Sequence, residues 1–241
     1  MAARIVICKN HQEASRYAAD LVAGVLAQKP ESTVTFASGD TPSDCYRELV
    51  RRQEAGELRL DRARYIGLDE WVGLGPQDEG SCIASLNKAY FHPAGIPREN
   101  ILAFDGRSLD PGEETLRMQG ILQRWPLELA VLGVGVNGHV GFNEPEAALP
   151  GDFSLVALSE TTQRVGRKYF AGRATPLQGA TITLQALARA GRVVILATGG
   201  AKREAVSGVL AGRKDLPVCA FLEHPGAFYV FDEEAAGTTQ A

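Results

Sequence analysis

The residues best equipped for chemistry crowd into one short stretch, Leu132–Pro145 (LGVGVNGHVGFNEP). It carries His139, with Asn137 just before it and Glu144 shortly after it. A histidine beside a carboxylate can be held in one tautomer and used to move protons near neutral pH. Gly133, Gly135 and Gly138 also match GxGxxG behind an apolar strand, the dinucleotide-binding pattern. Context removes that reading. The glycines should open a helix, whereas Gly141 and Asn143-Glu144-Pro145 interrupt one, and the motif falls past the middle of the chain rather than in a first βαβ unit. The glycines are instead read as flexible backbone around His139. A metal site built from His139, Glu144 and Asp69 lacks a second nearby histidine, so no metal is expected. No GxSxG nucleophile elbow is present.

A second carboxylate pair, Asp69 and Glu70, follows a predicted strand within Gly67–Trp71. Adjacent residues at a strand end point different ways. One can therefore enter a crevice as a general base while the other anchors the loop. A third segment, Ser38-Gly39-Asp40-Thr41-Pro42, joins a strand to a helix. Thr41 is read as its N-cap, Pro42 as its first helical residue, and Asp44 as completing a capping box. Free N–H groups and the positive dipole end suit such a start to an anion. Asp40 would repel a phosphate unless its side chain turns outward. Two cations complete the set: Arg164, in an irregular stretch, and Lys202, which follows Gly199-Gly200 at a helix start as phosphate-holding lysines do. His11, His92 and His224 are read as structural.

These groups need a scaffold, and the pattern of elements supplies one. Strands are predicted at Arg4–Cys8, Val34–Ala37, Tyr65–Leu68, Ile101–Phe104, Leu127–Leu132, Val193–Ala197, Val218–Leu222 and Phe228–Phe231. Helices are predicted at His11–Gln28, from Pro42 to about Ala55, and at Ser81–Phe91, Glu113–Arg124, Thr183–Ala190 and Lys202–Leu210. Alternation of this kind implies βαβ crossovers and an α/β fold: a single-domain, Rossmann-like, mostly parallel sheet with helices on both faces. The stretch 146–179 is the least regular and is expected to form a lid. Open α/β sheets bind ligands beyond the carboxyl ends of their strands, where the segments above fall.

Composition narrows the partners. The 241 residues carry 25 basic and 29 acidic side chains, a net charge of −4, which disfavours a bulk grip on nucleic acid or an anionic membrane. No apolar run reaches the ~20 residues of a bilayer span. Cys8, Cys45, Cys82 and Cys219 form no CxxC pair and read as small apolar core thiols, in keeping with a cytoplasmic location.

Four stretches together resemble the glucosamine-6-phosphate deaminases and the related galactosamine-6-phosphate deaminase/isomerases: ASGDTP (37–42), LDEWVGL (68–74), LGVGVNGHVGFNEP (132–145) and ATGGAK (197–202). The resemblance implies aldose–ketose isomerisation and deamination of a hexosamine 6-phosphate without a cofactor. It makes Asp69 the proton-transfer carboxylate, His139 the ring-opening histidine and Glu144 its supporting acid. It makes Arg164 and Lys202 the cations on the sugar phosphate, and Ser38, Gly39 and Thr41 the phosphate-cradling turn. Asn137 stands where some members have Asp, and Asp40 where Gly or Ser is usual. The similar 6-phosphogluconolactonases have a GxxDGH segment and lack the Phe-Asn-Glu-Pro run found here at 142–145. A non-catalytic sugar-phosphate-binding regulator is the third reading. LDEWV and Gly80-Ser81-Cys82 lean toward the galactosamine type. Hexameric allosteric members are longer at the C-terminus, so a monomer or small homo-oligomer without that activation is expected.

Overall fold

The computed structural model describes residues 2–145, 147–170 and 175–238. A seven-stranded sheet is formed by β1 (Arg4–Cys8), β2 (Thr33–Phe36), β3 (Arg64–Gly67), β5 (Ile101–Leu102), β6 (Leu129–Gly133), β9 (Arg192–Ala197) and β10 (Ala227–Asp232). Their order is β1-β10-β9-β6-β2-β3-β5, and every pairing is parallel. The apolar strands are buried on both faces, as a covered parallel sheet requires. On β9, Val193, Ile195 and Ala197 face one core, whereas Val194 and Leu196 face the other.

The helices divide accordingly. Buried residues of α1 (His11–Gln28), α2 (Ser43–Glu54) and α3 (Cys82–Leu86) cover one face; those of α4 (Pro111–Arg124), α6 (Leu184–Leu187) and α7 (Arg203–Leu210) cover the other. Asn10 caps α1, and Asp110 with Pro111 opens α4. Phe36, Tyr46, Tyr65, Tyr90 and Phe91 form an aromatic cluster under β2 and β3. From it the Tyr46 hydroxyl donates to the Ala37 carbonyl at 2.7 Å and pins the exit of β2. Among the described residues, no helix is long and apolar enough to cross a membrane.

Four local expectations change. A second sheet, antiparallel and three-stranded in the order β4-β8-β7, is built from β4 (Asp69–Trp71), β7 (Phe153–Ala157) and β8 (Gln178–Ile182). The lid stretch is therefore more regular than its sequence suggests: it contains β7, α5 (Glu160–Gly166) and the start of β8. Glu146 and 171–174, also in that stretch, lie outside the described residues. Val218–Leu222 is not a strand; Pro217–Phe221 winds as a 3-10 turn, because Pro217 opens it and Val218 N donates to the Gly138 carbonyl at 3.0 Å. Thr41 does not cap α2, which begins at Ser43 without a side-chain cap; the Ser43 hydroxyl instead donates to the Gly39 carbonyl.

The crossover from β2 runs to β3 on one side, and that from β6 runs to β9 on the other. The crevice between the carboxyl ends of β2 and β6 is thus the topological switch point. Asn143, 2% exposed, stitches its floor together: Nδ2 donates to the Val140 and Ile182 carbonyls at 2.8 and 2.9 Å, and Oδ1 accepts from Leu184 N at 3.0 Å. Asn143→Ala would strand these buried groups. It should cost about 2–4 kcal/mol in urea unfolding with an unchanged m-value, and a loss below about 0.5 kcal/mol would refute the role.

Candidate functional site

A cavity of about 420 Å³ opens at the switch point. The turn after β2 (Ser38–Pro42), β4, the loop after β6, the lid from Thr162 to Tyr169, and the turn after β9 surround it. All four motifs picked out from the sequence therefore meet in one place.

Asp69 and Glu70 divide as their strand geometry predicts. Glu70 is buried and accepts four hydrogen bonds: from Trp71 N (2.8 Å), Ser81 Oγ (2.7 Å), Cys82 N (3.0 Å) and Ile83 N (3.0 Å). It thereby docks the N-terminus of α3 onto β4. Asp69 points the other way and lines the cavity. Burial, reinforced by the charge of Glu70, pushes its carboxyl up to about 7, while a hydrogen bond from the Cys82 thiol pulls the other way. A carboxyl in that range can take and return protons near neutral pH.

The loop after β6 holds its histidine by close approach. A Cβ on Gly135 would fall 2.3–2.5 Å from the His139 ring, so only glycine leaves the ring its place. Gly141, at φ +56°, would drive a Cβ to 2.7 Å from Thr181 Oγ1, and that Cβ would lie 3.5 Å from Asp69 Oδ2. Clearance, rather than the flexibility expected from the sequence, explains these glycines. His139 Nδ1 faces Thr162 Oγ1 at 3.2 Å, with Glu144 Oε2 further away at 3.8 Å. Burial, opposed by Glu144 and aided by Lys202, holds the imidazole below its ordinary value. Glu144 is buried and accepts from Asn137 Nδ2 (3.1 Å), Ser159 N (3.2 Å) and Ser159 Oγ (3.0 Å). Asn137 bonds Glu144 and the backbone of His139, not the ring. Thr162 and Ser159 are absent from the sequence reading; the cap that Ser159 places on α5 was their only signal.

The cationic end differs from expectation at one position. Lys202 lines the cavity, and burial together with Lys168 lowers its ammonium group, partly offset by Asp40. The Gly199 turn before it is held by Asp232, whose carboxylate accepts from Gly199 N at 3.0 Å. Arg164, by contrast, is exposed on α5 and does not line the cavity. The cap at Ser159 sets the phase of α5 so that Thr162, Val165 and Gly166 face inward and Arg164 outward. Lys168, on the 3-10 turn that follows, takes the position expected of it. Its Nζ lies 2.9 Å from Asp40 Oδ2. Asp40 is 81% exposed, so its carboxylate turns outward and leaves the backbone of the turn facing the cavity. His11 is structural: it links Thr198 and Asp44 at 2.8 and 3.1 Å. His224 likewise closes a turn through Ala190 O and Gly226 N. Among the described residues, no group of three His, Cys, Asp or Glu side chains could hold a metal ion.

A parallel sheet with acid–base side chains facing paired lysines beyond its carboxyl edge defines an α/β enzyme for a small anionic substrate. More narrowly, the chain belongs to the family described as glucosamine-6-phosphate isomerases/6-phosphogluconolactonase, which matches residues 9–230. It is 32% identical over 237 residues to a glucosamine-6-phosphate deaminase of Bacillus velezensis, covering 97% of this chain and 98% of that one. The solved structure of a monomeric glucosamine-6-phosphate deaminase superposes with a TM-score of 0.92 at 28% identity, covering 98% of this chain and all of that one. A 6-phosphogluconolactonase from Leishmania guyanensis, at 22% identity, shares the fold with a TM-score of 0.79 over both full chains.

The two lysines beside the Ser38–Thr41 turn can hold a phosphate. Lys168→Ala and Lys202→Ala should each weaken inorganic phosphate binding about tenfold or more by calorimetry, the scale of a charged hydrogen bond. Arg164→Ala should change it less than about twofold; a larger loss there would restore Arg164 to the site.

Proposed function

We propose that the protein converts a hexosamine 6-phosphate, glucosamine 6-phosphate first, to the ketohexose 6-phosphate and ammonium. The observation that carries this reading is the placing of Asp69 and His139 in one cavity with Lys168 and Lys202. The phosphate sits at the Ser38–Thr41 turn between the two lysines. His139, oriented by Thr162 and by Glu144, which Asn137 holds in place, passes a proton to the ring oxygen and opens the sugar. Asp69 removes the C2 proton and returns it to C1. Water adds to the resulting C2 iminium, and ammonium leaves. His139, Asp69, Glu144 and Asn137 use only protons and water in these steps, so no metal or organic cofactor enters the scheme.

Two observations favour this over lactone hydrolysis. Glu144 of the Asn-Glu-Pro run is engaged with Asn137 and Ser159 behind the histidine. The relatives at about 30% identity are named deaminases, whereas the lactonase structures at 22% or less share the fold. A monomer in the cytoplasm is the simplest setting, in line with the monomeric relative. The Gly80-Ser81-Cys82 stretch keeps galactosamine 6-phosphate as a second substrate to assay. Ammonium release from either amino sugar, against acid release from a phosphogluconolactone, separates the readings. Binding without turnover would mean a regulator.

Asp69 acts as a base only when ionised, so kcat/KM should rise with pH through about 7. Asp69→Asn should lower kcat at least about a hundredfold with KM within a few-fold. The same shift sets a stability cost. A carboxyl raised in the folded state loses stability as pH rises from its ordinary range near 4 to about 7. Asp69→Asn should therefore raise the melting temperature at pH 8, by roughly 2–4 °C for each kcal/mol relieved. Near-normal turnover in that variant would overturn the role.

A further inference from the structure

His11 does not line the cavity, and the mechanism above makes no use of it. It is the first residue of α1, whose start is capped by Asn10, and α1 shares one core with α2 and with Val194 and Leu196 of β9. Its ring reaches from that packing to two segments. Nδ1 lies 2.8 Å from Thr198 Oγ1, and Nε2 lies 3.1 Å from Asp44 Oδ2. Thr198 stands between β9 and the Gly199 turn that leads to Lys202. Asp44 is in the first turn of α2, next to Ser43, whose hydroxyl and N–H donate to the Gly39 and Asp40 carbonyls at 2.8 and 3.2 Å. Each end of the ring is thus one short step from one half of the anion site.

We propose that His11 is a positioning residue for the phosphate site: it braces the Gly199–Lys202 turn against the Ser38–Thr41 turn and so sets Lys202 relative to the backbone facing it. This inference rests on the reading above that these two turns hold the phosphate of the substrate.

The sheet alone does not provide this brace. β6 separates β2 from β9, so no ladder bond joins the strands that carry the two turns, and the His139 loop leaves between them. Asp232 holds Gly199 N at 3.0 and 3.1 Å, but it does so from β10, on the far side of β9. The ring chemistry suits a bridge. An ionised carboxylate only accepts, so Nε2 carries a proton and donates to Asp44, and Nδ1 of the neutral ring accepts from the Thr198 hydroxyl. A doubly protonated ring keeps both contacts, with Thr198 Oγ1 as the acceptor. Ser15 Oγ of the same helix is the next neighbour, 3.5 Å from Nε2, and Arg47 pairs with the other oxygen of Asp44. Lys202 carries its charge on a flexible four-carbon stem. A turn held from both sides fixes where that stem starts, so less freedom is lost when Nζ closes on an anion.

The test is calorimetry of inorganic phosphate binding, with kcat and KM on glucosamine 6-phosphate, in the wild type, His11→Ala, Thr198→Val, their double variant and Thr198→Ser. His11→Ala and Thr198→Val each open the bridge, and Val keeps the branched shape of threonine; Thr198→Ser keeps the hydroxyl. In either opened variant phosphate binding should weaken about three- to tenfold, the effect of one hydrogen bond, and KM should rise by a like factor with kcat within about twofold. The double variant should lose no more than about twofold beyond the weaker-binding single, because both changes cut the same bridge. Thr198→Ser should bind phosphate within about twofold of wild type. A merely structural role would lower the melting temperature and leave phosphate affinity and KM unchanged in the folded protein. That result in Thr198→Val, losses that multiply in the double variant, or a loss in Thr198→Ser as large as in Thr198→Val would overturn the inference, and the Thr198 variants decide it even if His11→Ala fails to fold. A wild type that binds no phosphate would overturn it too. The binding measurement needs no turnover, so a wild type that binds phosphate but releases no ammonium fails the catalytic reading alone, and the bridge is then decided by phosphate affinity.

Discussion

The site depends on a carboxylate that performs no chemistry. Glu70 lies buried on a three-residue strand and is satisfied by one hydroxyl and three backbone N–H groups. Burying a charge is costly unless it is this fully hydrogen-bonded, so the arrangement admits little movement. Because β4 is pleated, fixing Glu70 toward α3 fixes Asp69 toward the cavity. The same bonds hold the first turn of α3 and with it Cys82. The charge of Glu70 is also one reason why the Asp69 carboxyl titrates near 7. One buried anion thus sets the direction, the neighbours and the basicity of the residue before it.

The rest of the site is attached to this frame by contacts that leave little slack. Asp69 pairs in register with Thr181 of β8, and Thr181 Oγ1 accepts from Phe142 N at 3.2 Å. The loop carrying His139 and Glu144 is therefore tied to the strand beside Asp69. Phe142 packs edge-on against Trp71, with ring centroids 4.7 Å apart, and Trp71 meets Phe170 of the lid at 5.2 Å. On the far side, the Lys168–Asp40 pair spans from the lid to the turn after β2. Both partners are largely exposed, so the pair adds little to stability and leaves Lys168 able to exchange a carboxylate for a phosphate.

Much of this was legible in the residues. Alternating apolar and amphipathic segments were enough for a parallel α/β sheet, and the opposed roles of Asp69 and Glu70 follow from the pleat alone. The second sheet was not legible. β4 follows β3 with only Leu68 between them, so two strands of different sheets read as one run. β7 and β8 border a helix too short to show its period, and the whole stretch looked irregular. Arg164 was read as the lid cation, and Lys168 was not legible, because the phase of α5 depends on its cap at Ser159. The service of Gly135, to leave room for the His139 ring, has no signature in the sequence because it is a contact in space.

The claim at the centre is that Asp69 moves a proton between C2 and C1 of an amino-sugar phosphate. Turnover of glucosamine 6-phosphate in deuterium oxide, followed by NMR, tests it most directly. The wild type should carry solvent deuterium into C1 of the ketohexose product and into C2 of recovered substrate, and Asp69→Asn should bind the substrate yet lose both exchanges. Continued C2 exchange in that variant at a rate near wild type would contradict the assignment.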